Sequence, residues 1–480
     1  MSSILSPDSA LNTTLSFLAE ESLWAYLVIA ALVFCGIYFS ARTRFVQFRM
    51  IREMFRLLVD SSSGTSSDKK QISSFQAFAV SVATRVGTGN IVGVATAITI
   101  GGPGAVFWMW VMAIVGAASS FVESTLAQLF KRRASDAFIG GPAYYILHGM
   151  HKPWMAGLFA VLITITFGLS YNSIQGNAIC QAMNDAFGFD SLTVGLITAA
   201  VGLVIVFGGI QRIAKVSSIL VPIMAVGYFI LALVIIVMNY SEIPHVFKII
   251  VESAFGFGQF AGGAVGMTIM MGIRRGLFSN EAGEGSAPNA AATADVTHPV
   301  KQGLVQSLGV FTDTLLVCSC TAFIILISGI YTNPSAEAGT LTQDAINATI
   351  GSAGEIFVAI AILFFAFSSI IGNYYYGETN IRFLTQRRWI LTVFRIFSAG
   401  VFVVFGAVAS LDVVWNLGDL FMGMLTICNL VAILWLGKYA FRLLNDYCAQ
   451  KRRGITDPTF HASQMPEIYD DLDAWKDEDK

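Results

Sequence analysis

The sequence predicts an all-α polytopic membrane protein, and three observations carry this prediction. Apolar side chains make up 55% of the 480 residues and charged side chains only 12%, whereas soluble proteins average about 45–50% and about 25%. The apolar residues form long unbroken runs, unlike the alternating pattern of a membrane β-barrel. Lysine plus arginine (29) and aspartate plus glutamate (31) nearly cancel, so no positive surplus indicates nucleic-acid binding.

Eleven apolar runs are long enough to cross a bilayer, which requires roughly 20 residues per helix. We expect these transmembrane helices at about residues 23–41, 75–100, 104–130, 154–185, 191–209, 215–239, 252–281, 302–331, 354–382, 388–408 and 412–437. The six cysteines show no CxxC pair, and they indicate neither a disulfide framework nor a zinc site.

The distribution of lysine and arginine predicts the orientation, because these residues accumulate in short cytoplasmic loops. If the N-terminus lies outside, 26 of the 29 lysine and arginine residues fall in cytoplasmic segments. We therefore predict a multi-pass protein of a bacterial inner membrane, with its N-terminus outside and its C-terminus in the cytoplasm.

Four segments are predicted to lie outside a ten-helix membrane core. Residues 1–22 form an external N-terminal segment, and residues 23–59 form an accessory first helix followed by a basic cytoplasmic segment. The Ser-rich residues 60–70 predict a flexible linker. Residues 445–480 are polar and charged, and they predict a solvated cytoplasmic tail.

The remaining ten predicted helices divide into two halves. Residues 71–250 and residues 251–444 contain five helices each, and the two halves begin on opposite sides of the membrane. This five-plus-five arrangement is the topology of an inverted repeat, which many transporters share.

The second predicted span contains an unusual cluster near its middle, comprising Gly87, Thr88, Gly89, Asn90 and Gly93. Glycine weakens a helix by about 1 kcal/mol relative to alanine, and the bilayer penalises the two polar side chains. A helix broken at mid-membrane explains the whole cluster. Close helix packing through small residues is the alternative explanation.

The seventh predicted span has the same glycine-rich character. Its glycines are Gly256, Gly258, Gly262, Gly263, Gly266 and Gly272. They predict a second interruption around Gly266, at the matching place in the second half. Two interrupted helices predict a substrate site at the repeat interface, where half-helix N-termini meet a carboxylate and unwound carbonyls coordinate a cation.

A sodium site is predicted beside the first interruption. Sodium requires several oxygen ligands, which the hydroxyls of Ser368 and Ser369 would supply together with carbonyls near Ala83, Thr84 or Val86. The alternative is that both serines donate to carbonyls of their own helix, as membrane serines often do.

Four motifs identify a resemblance to a known family. They are GGPGAVFWMWVMAIVG at 101–116, GTGN at 87–90, RGLFSNEAGEGSAP at 275–288 and FSSIIGNYYYGE at 367–378. They resemble the landmarks of the alanine or glycine:cation symporters, the sodium:alanine symporter family. The resemblance implies a LeuT-like five-plus-five inverted repeat with one extra N-terminal helix, and import of alanine or glycine with sodium.

The resemblance also implies which residues bind the substrate. The helix break would contact the substrate carboxylate, and polar or pocket-lining positions would follow on three further spans. The residues implied beyond the break are Gln175, Asn177, Met271, Gly272, Ile273 and Asn373. Many alanine-selective members carry tryptophan where Asn373 stands, so a larger neutral amino acid such as glutamine is the alternative substrate.

Three charged residues inside predicted spans are candidates for gating. An ionised side chain costs about 2.5–3.5 kcal/mol at the centre of a membrane helix unless it is paired or hydrated. We expect Arg85 to pair with Glu123 or Asp313 and to help close the cytoplasmic path. A structural ion pair without a role in transport is the alternative.

Other function classes find less support in the sequence. It contains no GxxxxGK[ST] motif for ATP and no chain of carboxylates along the spans, so sodium is the predicted energy source and protons are the alternative. No set of nucleophile and base indicates an enzyme. An ion channel would also use glycine breaks and hydroxyls, but the inverted repeat favours a carrier. We expect no cofactor, and the predicted partners are an amino acid, sodium and the lipid bilayer.

Overall fold

The computed structural model describes residues 9–59, 72–134, 138–256 and 264–476, and most of these residues are helical. Eight helices in this part of the chain are long and apolar enough to cross a membrane, or nine if one bent pair counts as a span. The predicted all-α class is confirmed. The count falls short of eleven because Ser191–Val206 has 16 residues and Ala264–Asn280 has 17.

We number the helices in chain order. They are α1 (Ala10–Arg42), α2 (Val46–Arg49), α3 (Ile51–Val59), α4 (Ser74–Arg85), α5 (Gly89–Gly101), α6 (Ala105–Leu129), α7 (Pro142–Met150), α8 (Pro153–Phe187), α9 (Ser191–Val206), α10 (Gly209–Met238), α11 (Ile243–Ala254), α12 (Ala264–Asn280), α13 (Ala287–Ala291), α14 (Pro299–Ser328), α15 (Leu341–Ile350), α16 (Ser352–Leu384), α17 (Arg388–Val408) and α18 (Leu411–Arg452).

The first helix begins earlier than the sequence indicates, at Ala10, so part of the predicted external segment 1–22 is helical. The side chain of Ser9 caps this helix by accepting a hydrogen bond from the Asn12 amide. Further along α1, Gly36 packs directly against Val115 of α6, and the Trp24 indole donates to the carbonyl of Asp419 in α18 at 2.9 Å. The helix is therefore fastened to the bundle.

A buried ion pair joins α12 to α18. Arg275 donates two hydrogen bonds to the carboxylate of Asp419, at 3.2 and 2.5 Å, and Arg274 lies 3.5 Å from the same carboxylate. The Arg275 guanidinium also lies over the ring of Trp415, 4.1 Å from its centroid. Because all three charged side chains are buried, each depends on the others for compensation.

The C-terminal segment differs from its prediction. The last helix continues to Arg452, and Phe460, Leu472 and Trp475 are 4%, 0% and 7% exposed. The prediction of a solvated tail was wrong because a few apolar residues in this charged segment find partners far away in the sequence. The predicted linker 60–70 lies outside the described residues.

Replacing the shared carboxylate should destabilise the fold. In Asp419→Ala, two buried guanidinium groups lose their counter-charge, which costs about 3–5 kcal/mol. We expect a clearly lower midpoint of thermal unfolding in detergent. Glu252→Ala is the matched control, because it removes the exposed Lys248–Glu252 pair, which contributes about 0–1 kcal/mol. Equal midpoints for the two variants would contradict the assignment.

Candidate functional site

The predicted break in the second span is present. Helix α4 ends at Arg85, α5 begins at Gly89, and the two helix axes meet at 50°. Val86 leaves the helical region with φ −81° and ψ 86°. The amide of Gly87 donates to Oδ1 of Asn90 at 2.9 Å, and all residues of the break are buried.

The glycines of the break permit close contact with two other helices. A Cβ on Gly87 would lie 2.2 Å from the hydroxyl of Ser369 in α16 and 3.2 Å from Oε1 of Gln175 in α8. A Cβ on Gly89 would lie 2.8 Å from the ring of Phe278 in α12. The break therefore faces helices α8, α12 and α16 at distances that only glycine allows.

Helix α8 supplies a polar contact and an aromatic contact to this region. Oε1 of Gln175 accepts a hydrogen bond from the Thr88 amide at 3.2 Å. Tyr171 lies one turn earlier, at the end of a π-helical turn spanning Thr166–Tyr171, a feature that often accompanies functional sites. Its ring packs 4.6 Å from that of Phe278, which in turn lies 4.6 Å from the ring of Trp415.

Three buried polar atoms, one at the break and the others on α16 and α18, have no hydrogen-bond partner within the described chain. They are Oγ1 of Thr88, Oδ1 of Asn373 and Nε1 of Trp415. The other end of the Asn373 amide donates to Asn172 at 3.1 Å. A buried polar group without a partner costs about 1–3 kcal/mol, so these atoms are available to a polar ligand.

The predicted hydroxyl and carbonyl cluster also forms. Ser369 donates at 2.9 Å to the carbonyl of Ala83 and lies 3.3 Å from that of Thr84, while the Ser368 hydroxyl is 3.5 Å from the Ala83 carbonyl. Both serines also contact Phe365 in their own helix, so the two readings of these hydroxyls coexist. The Val86 amide donates to the Val82 carbonyl at 2.7 Å, which ends the hydrogen-bonded part of α4.

The close approach of α16 to α4 depends on Gly372. A Cβ at this position would lie 2.5 Å from the Thr84 methyl group. Thr84 itself donates to Ser81 and shares a hydrogen bond of 3.0 Å with the Tyr376 hydroxyl. These contacts hold the end of α4 against α16, which keeps the serine hydroxyls within reach of the α4 carbonyls.

Asp313 anchors the break from another side. Its carboxylate accepts hydrogen bonds from Asn90 at 2.6 Å, Ser279 at 2.7 Å and Thr314 at 2.9 Å. The carboxylate therefore joins the start of α5 to the end of α12 and to α14.

The second predicted interruption falls at the start of α12. Gly266 lies in the first turn of this helix and is exposed, and residues 257–263 before the helix lie outside the described residues, so the interruption around Gly266 stays a prediction. The chain leaves the helix only after Asn280, where Glu281, Gly283 and Gly285 have positive φ angles of 56°, 90° and 90°. Gly256 follows α11 with a φ of 70°, while Gly258, Gly262 and Gly263 lie outside the described residues.

The predicted pocket residues of α12 lie away from the break. A Cβ on Gly101 would lie 2.9 Å from Met271, and one on Gly272 would lie 2.5 Å from the Ala105 carbonyl. Met271 thus lies beside Gly101, at the end of α5 that is twelve residues from Gly89. Gly272 allows α12 to pack closely against α6. Ile273 is buried, and Phe278 and Ser279 are the α12 residues that contact the break.

Asn177 does not share the face of Gln175. Its amide donates to the carbonyls of Gly406 and Ala409, both at 3.0 Å, and so fastens α8 to α17 and its end. The prediction that it faces the pocket was wrong because residues two apart on a helix point to nearly opposite sides at 3.6 residues per turn.

The predicted ion pair of Arg85 does not form among the described residues. Arg85 is buried and donates to the Gln306 carbonyl at 3.1 Å and to the Ser120 hydroxyl at 3.3 Å. Glu123 instead accepts from the Gly283 amide at 3.2 Å and from Asn429 at 2.8 Å. Glu123 therefore has neutral donors, and one of them is the Gly283 amide in the loop after α12.

Sequence reasoning missed the aromatic neighbours of the break. Tyr171 donates to the buried carboxylate of Glu284 at 3.1 Å, which links α8 to the loop after α12. Aromatic residues are common in membrane helices, so Tyr171, Phe278 and Trp415 carried no distinguishing signal. A cavity of about 550 Å³ also exists, but it lies near Gly101, at the opposite end of α5.

A broken helix within a helical bundle, closed by other helices, is typical of membrane proteins of the secondary-transporter class. The sodium:alanine symporter family model matches residues 9–462. The chain therefore belongs to this family, and its activity is the symport of an amino acid with a cation.

Curated relatives support the same family. A probable sodium/glutamine symporter of Bacillus subtilis (strain 168), GlnT, is 51% identical over 458 residues, covering 95% of each chain. The amino-acid carrier protein AlsT of the same organism is 46% identical, covering 96% of this chain and 97% of the relative. A sodium/proton-dependent alanine carrier protein of Bacillus sp. (strain PS3) is 38% identical, covering 83% and 93%.

Solved structures show a similar fold. The transporter MhsT, crystallised with L-phenylalanine, aligns with a TM-score of 0.55 at 14% identity, covering 80% of this chain and 98% of that chain. At this identity the similarity concerns the fold alone, which is that of the LeuT-like transporters.

Adding one methyl group at the break should abolish transport. In Gly87→Ala, the new Cβ would clash with the Ser369 hydroxyl at 2.2 Å, and such overpacking costs about 1–3 kcal/mol. We expect at least a tenfold loss of amino-acid uptake per unit of membrane-inserted protein. Gly157→Ala is the control, because no heavy atom lies within 4 Å of its Cβ position. Similar uptake by both variants would argue against a functional break.

Proposed function

We propose that the protein imports a neutral amino acid together with sodium, and that both bind at the break between α4 and α5. The observation that carries this proposal is the Ser369 hydroxyl, which lies 2.9 Å from the Ala83 carbonyl. This contact places a hydroxyl of one helix against the last carbonyls of a broken helix, beside backbone groups that a zwitterion can bind.

Sodium would be held by neutral oxygens. The candidate ligands are the carbonyls of Ala83, Thr84 and Val86 and the hydroxyls of Ser368 and Ser369. Bound sodium would lie between the serine hydroxyl oxygens and the carbonyl oxygens. The serine O–H bonds, which now point at the carbonyls, would rotate away. Because the ligands come from both α4 and α16, bound sodium would favour the arrangement in which these helices are close together.

The substrate would bind on the other side of the break. The N-terminus of α5 favours a carboxylate, because a helix N-terminus carries a partial positive charge. A substrate carboxylate would replace the side-chain oxygens that now accept from the Gly87 and Thr88 amides. Gly87, Thr88, Gly89 and Asn90 supply this terminus, and Gln175 positions it through the Thr88 amide. Tyr171, Phe278 and Trp415 would enclose the remainder of the substrate.

Alanine or glycine is the first candidate substrate, and the family description names alanine. Glutamine is the second candidate, and a specific observation favours it. Asn373 presents a buried amide oxygen without a partner in the described chain, which would accept a hydrogen bond from a substrate carboxamide. The 51% identical relative is named as a probable sodium/glutamine symporter.

The membrane arrangement belongs to the same proposal. Eleven spans result if α9 and α12 cross the bilayer together with the nine longer elements. The halves 71–250 and 251–444 would then be the two inverted repeats, with α1 as the extra helix. The lysine and arginine distribution supports an inner-membrane location with the C-terminus in the cytoplasm.

Arg85, Glu123 and Asp313 would act in gating through separate contacts. Arg85 joins the end of α4 to α6 and α14, and Glu123 joins α6 to α18 and the loop after α12. Asp313 holds the start of α5 through Asn90. Movement of either half of the broken helix would therefore require some of these contacts to change.

Removal of one sodium ligand should weaken sodium binding. For Ser369→Ala in proteoliposomes, we expect the sodium concentration at half-maximal uptake to rise at least tenfold, equivalent to about 1.4 kcal/mol. Ser218→Ala is the matched control, because Ser218 donates only to Lys215 within its own helix. Replacing sodium by potassium should abolish uptake by the wild-type protein. Uptake that persists in potassium would reject sodium coupling.

Residue 373 should determine the size of the accepted substrate. Asn373→Trp would place a larger side chain on α16, one residue after the close contact of Gly372 with Thr84, and would remove the free amide oxygen. We expect the ratio of glutamine to alanine uptake to fall at least tenfold, measured by competition with labelled substrates. A wild-type protein that takes up alanine and ignores glutamine would remove glutamine as a candidate, and an unchanged ratio would place residue 373 outside the substrate site.

A further inference from the structure

The C-terminal strap, defined here as residues 455–476, folds back along one end of the bundle. It is rich in acidic residues, yet Phe460, Met465 and Leu472 are buried. It follows α18, which ends at Arg452. The strap therefore uses its apolar residues to attach to the rest of the protein.

The strap ends on the last turn of α6 and the residues after it. The indole of Trp475 donates to the Gln128 carbonyl at 2.9 Å. The Lys131 ammonium lies 4.8 Å from the Trp475 ring centroid and 4.0 Å from that of Phe138. Lys131 is only 1% exposed, and burial lowers its pKa to about 7.

Gln128 and Lys131 both hold the segment that precedes α14. The Gln128 amide donates to the carbonyls of Ala291 and Ala294 at 2.5 and 3.0 Å, and Lys131 donates to the Ala294 carbonyl at 2.9 Å. Trp475 thus contacts the backbone carbonyl of Gln128 and the side chain of Lys131, and these two residues hold Ala294.

Ala294 in turn lies beside the start of the broken helix. It forms an isolated parallel bridge with Ile72, and the Asp295 amide donates to the Ile72 carbonyl at 3.0 Å. Two residues later, Ser74 begins α4 and accepts a hydrogen bond from Gln302 at 2.5 Å. A continuous series of contacts therefore runs from Trp475 to the half-helix that ends at the Ala83 and Thr84 carbonyls.

A second attachment reinforces the first. The Phe460 amide donates to the Thr297 carbonyl at 2.9 Å, and the Thr297 hydroxyl donates to the Pro458 carbonyl at 2.8 Å. Lys301, at the beginning of α14, forms an ion pair with Asp457. The strap thus holds the segment before α14 at two points, at Thr297 directly and at Ala294 through Gln128 and Lys131.

We propose that the strap is a positioning element that holds α4 close to α16. It thereby sets the apparent affinity for sodium. This inference rests on the proposed sodium site. Sodium bridges α4 and α16 only when these helices are close together, so any contact that favours this arrangement raises the apparent affinity by its differential free energy. If the strap is loosened, more of the protein molecules adopt an arrangement in which the N-terminal end of α4, near Ser74, is displaced.

The test is Trp475→Ala in proteoliposomes. We expect the sodium concentration for half-maximal uptake to rise about threefold or more, with the maximal rate unchanged or higher. Tyr469→Ala is the matched control, because Tyr469 is an aromatic residue of the strap that is 41% exposed. Trp475→Phe keeps a ring over Lys131 and loses the indole donor, so we expect an intermediate shift.

A second readout follows the opening directly. Ser81 is fully buried on α4 against Gln306, and Ser81→Cys in a Cys448→Ser background gives a thiol that reacts only when α4 is displaced. We expect Trp475→Ala to speed its modification by an impermeant reagent added from the strap side, and sodium to slow it.

The outcomes separate the two proposals. Sodium-independent uptake by the wild-type protein would overturn the proposed function. Sodium-dependent wild-type uptake, with an unchanged half-saturation and an unchanged modification rate in Trp475→Ala and Trp475→Phe, would overturn the strap proposal alone. A shift of equal size in Tyr469→Ala would also overturn it, because the effect would then not depend on the Trp475 contact.

Discussion

The structure depends on how the peptide groups of a broken membrane helix are satisfied. An unpaired amide or carbonyl in hydrocarbon costs several kcal/mol, so a break persists only where protein groups replace the helical hydrogen bonds. Here Asn90 accepts from the Gly87 amide and Gln175 accepts from the Thr88 amide. Asn90 is itself held by Asp313. Side chains of α5, α8 and α14 therefore stabilise the break, and the remaining polar atoms are free to contact a substrate.

The break also requires that neighbouring helices approach its backbone closely. Gly87 admits the Ser369 hydroxyl, Gly89 admits Phe278, and Gly372 admits Thr84, each within a distance at which a Cβ would clash. Small residues serve the same purpose in other membrane helix interfaces. At this site they have a chemical consequence, because they bring a hydroxyl of α16 within 2.9 Å of a carbonyl of α4. Packing and the proposed ion site are thus one feature of the molecule.

Sequence signals predicted the features that are local. Glycines and polar residues that occur together inside one apolar run predicted the break at Gly87. The two adjacent serine hydroxyls in the span at 354–382 predicted the contact of Ser369 with the end of α4. Glycine in a membrane helix also occurs on exposed faces, as Gly266 does in the first turn of α12, so glycine content alone does not locate a break. The strap was missed. Trp475 is buried by Gln128 and Lys131, more than 300 residues earlier, and local composition carries no record of such a contact.

The kinds of interaction are distributed unevenly between the parts of the bundle. The ion pair of Asp419 with Arg275 joins α12 and α18, and breaking a buried ion pair costs about 3–5 kcal/mol. Around the broken helix, Arg85 and Glu123 instead use carbonyl, hydroxyl and amide partners. A hydrogen bond of this kind contributes only about 0.5–3 kcal/mol. Contacts of that size can be exchanged for those of a second arrangement, so the broken helix can move while the ion pair keeps α12 and α18 together.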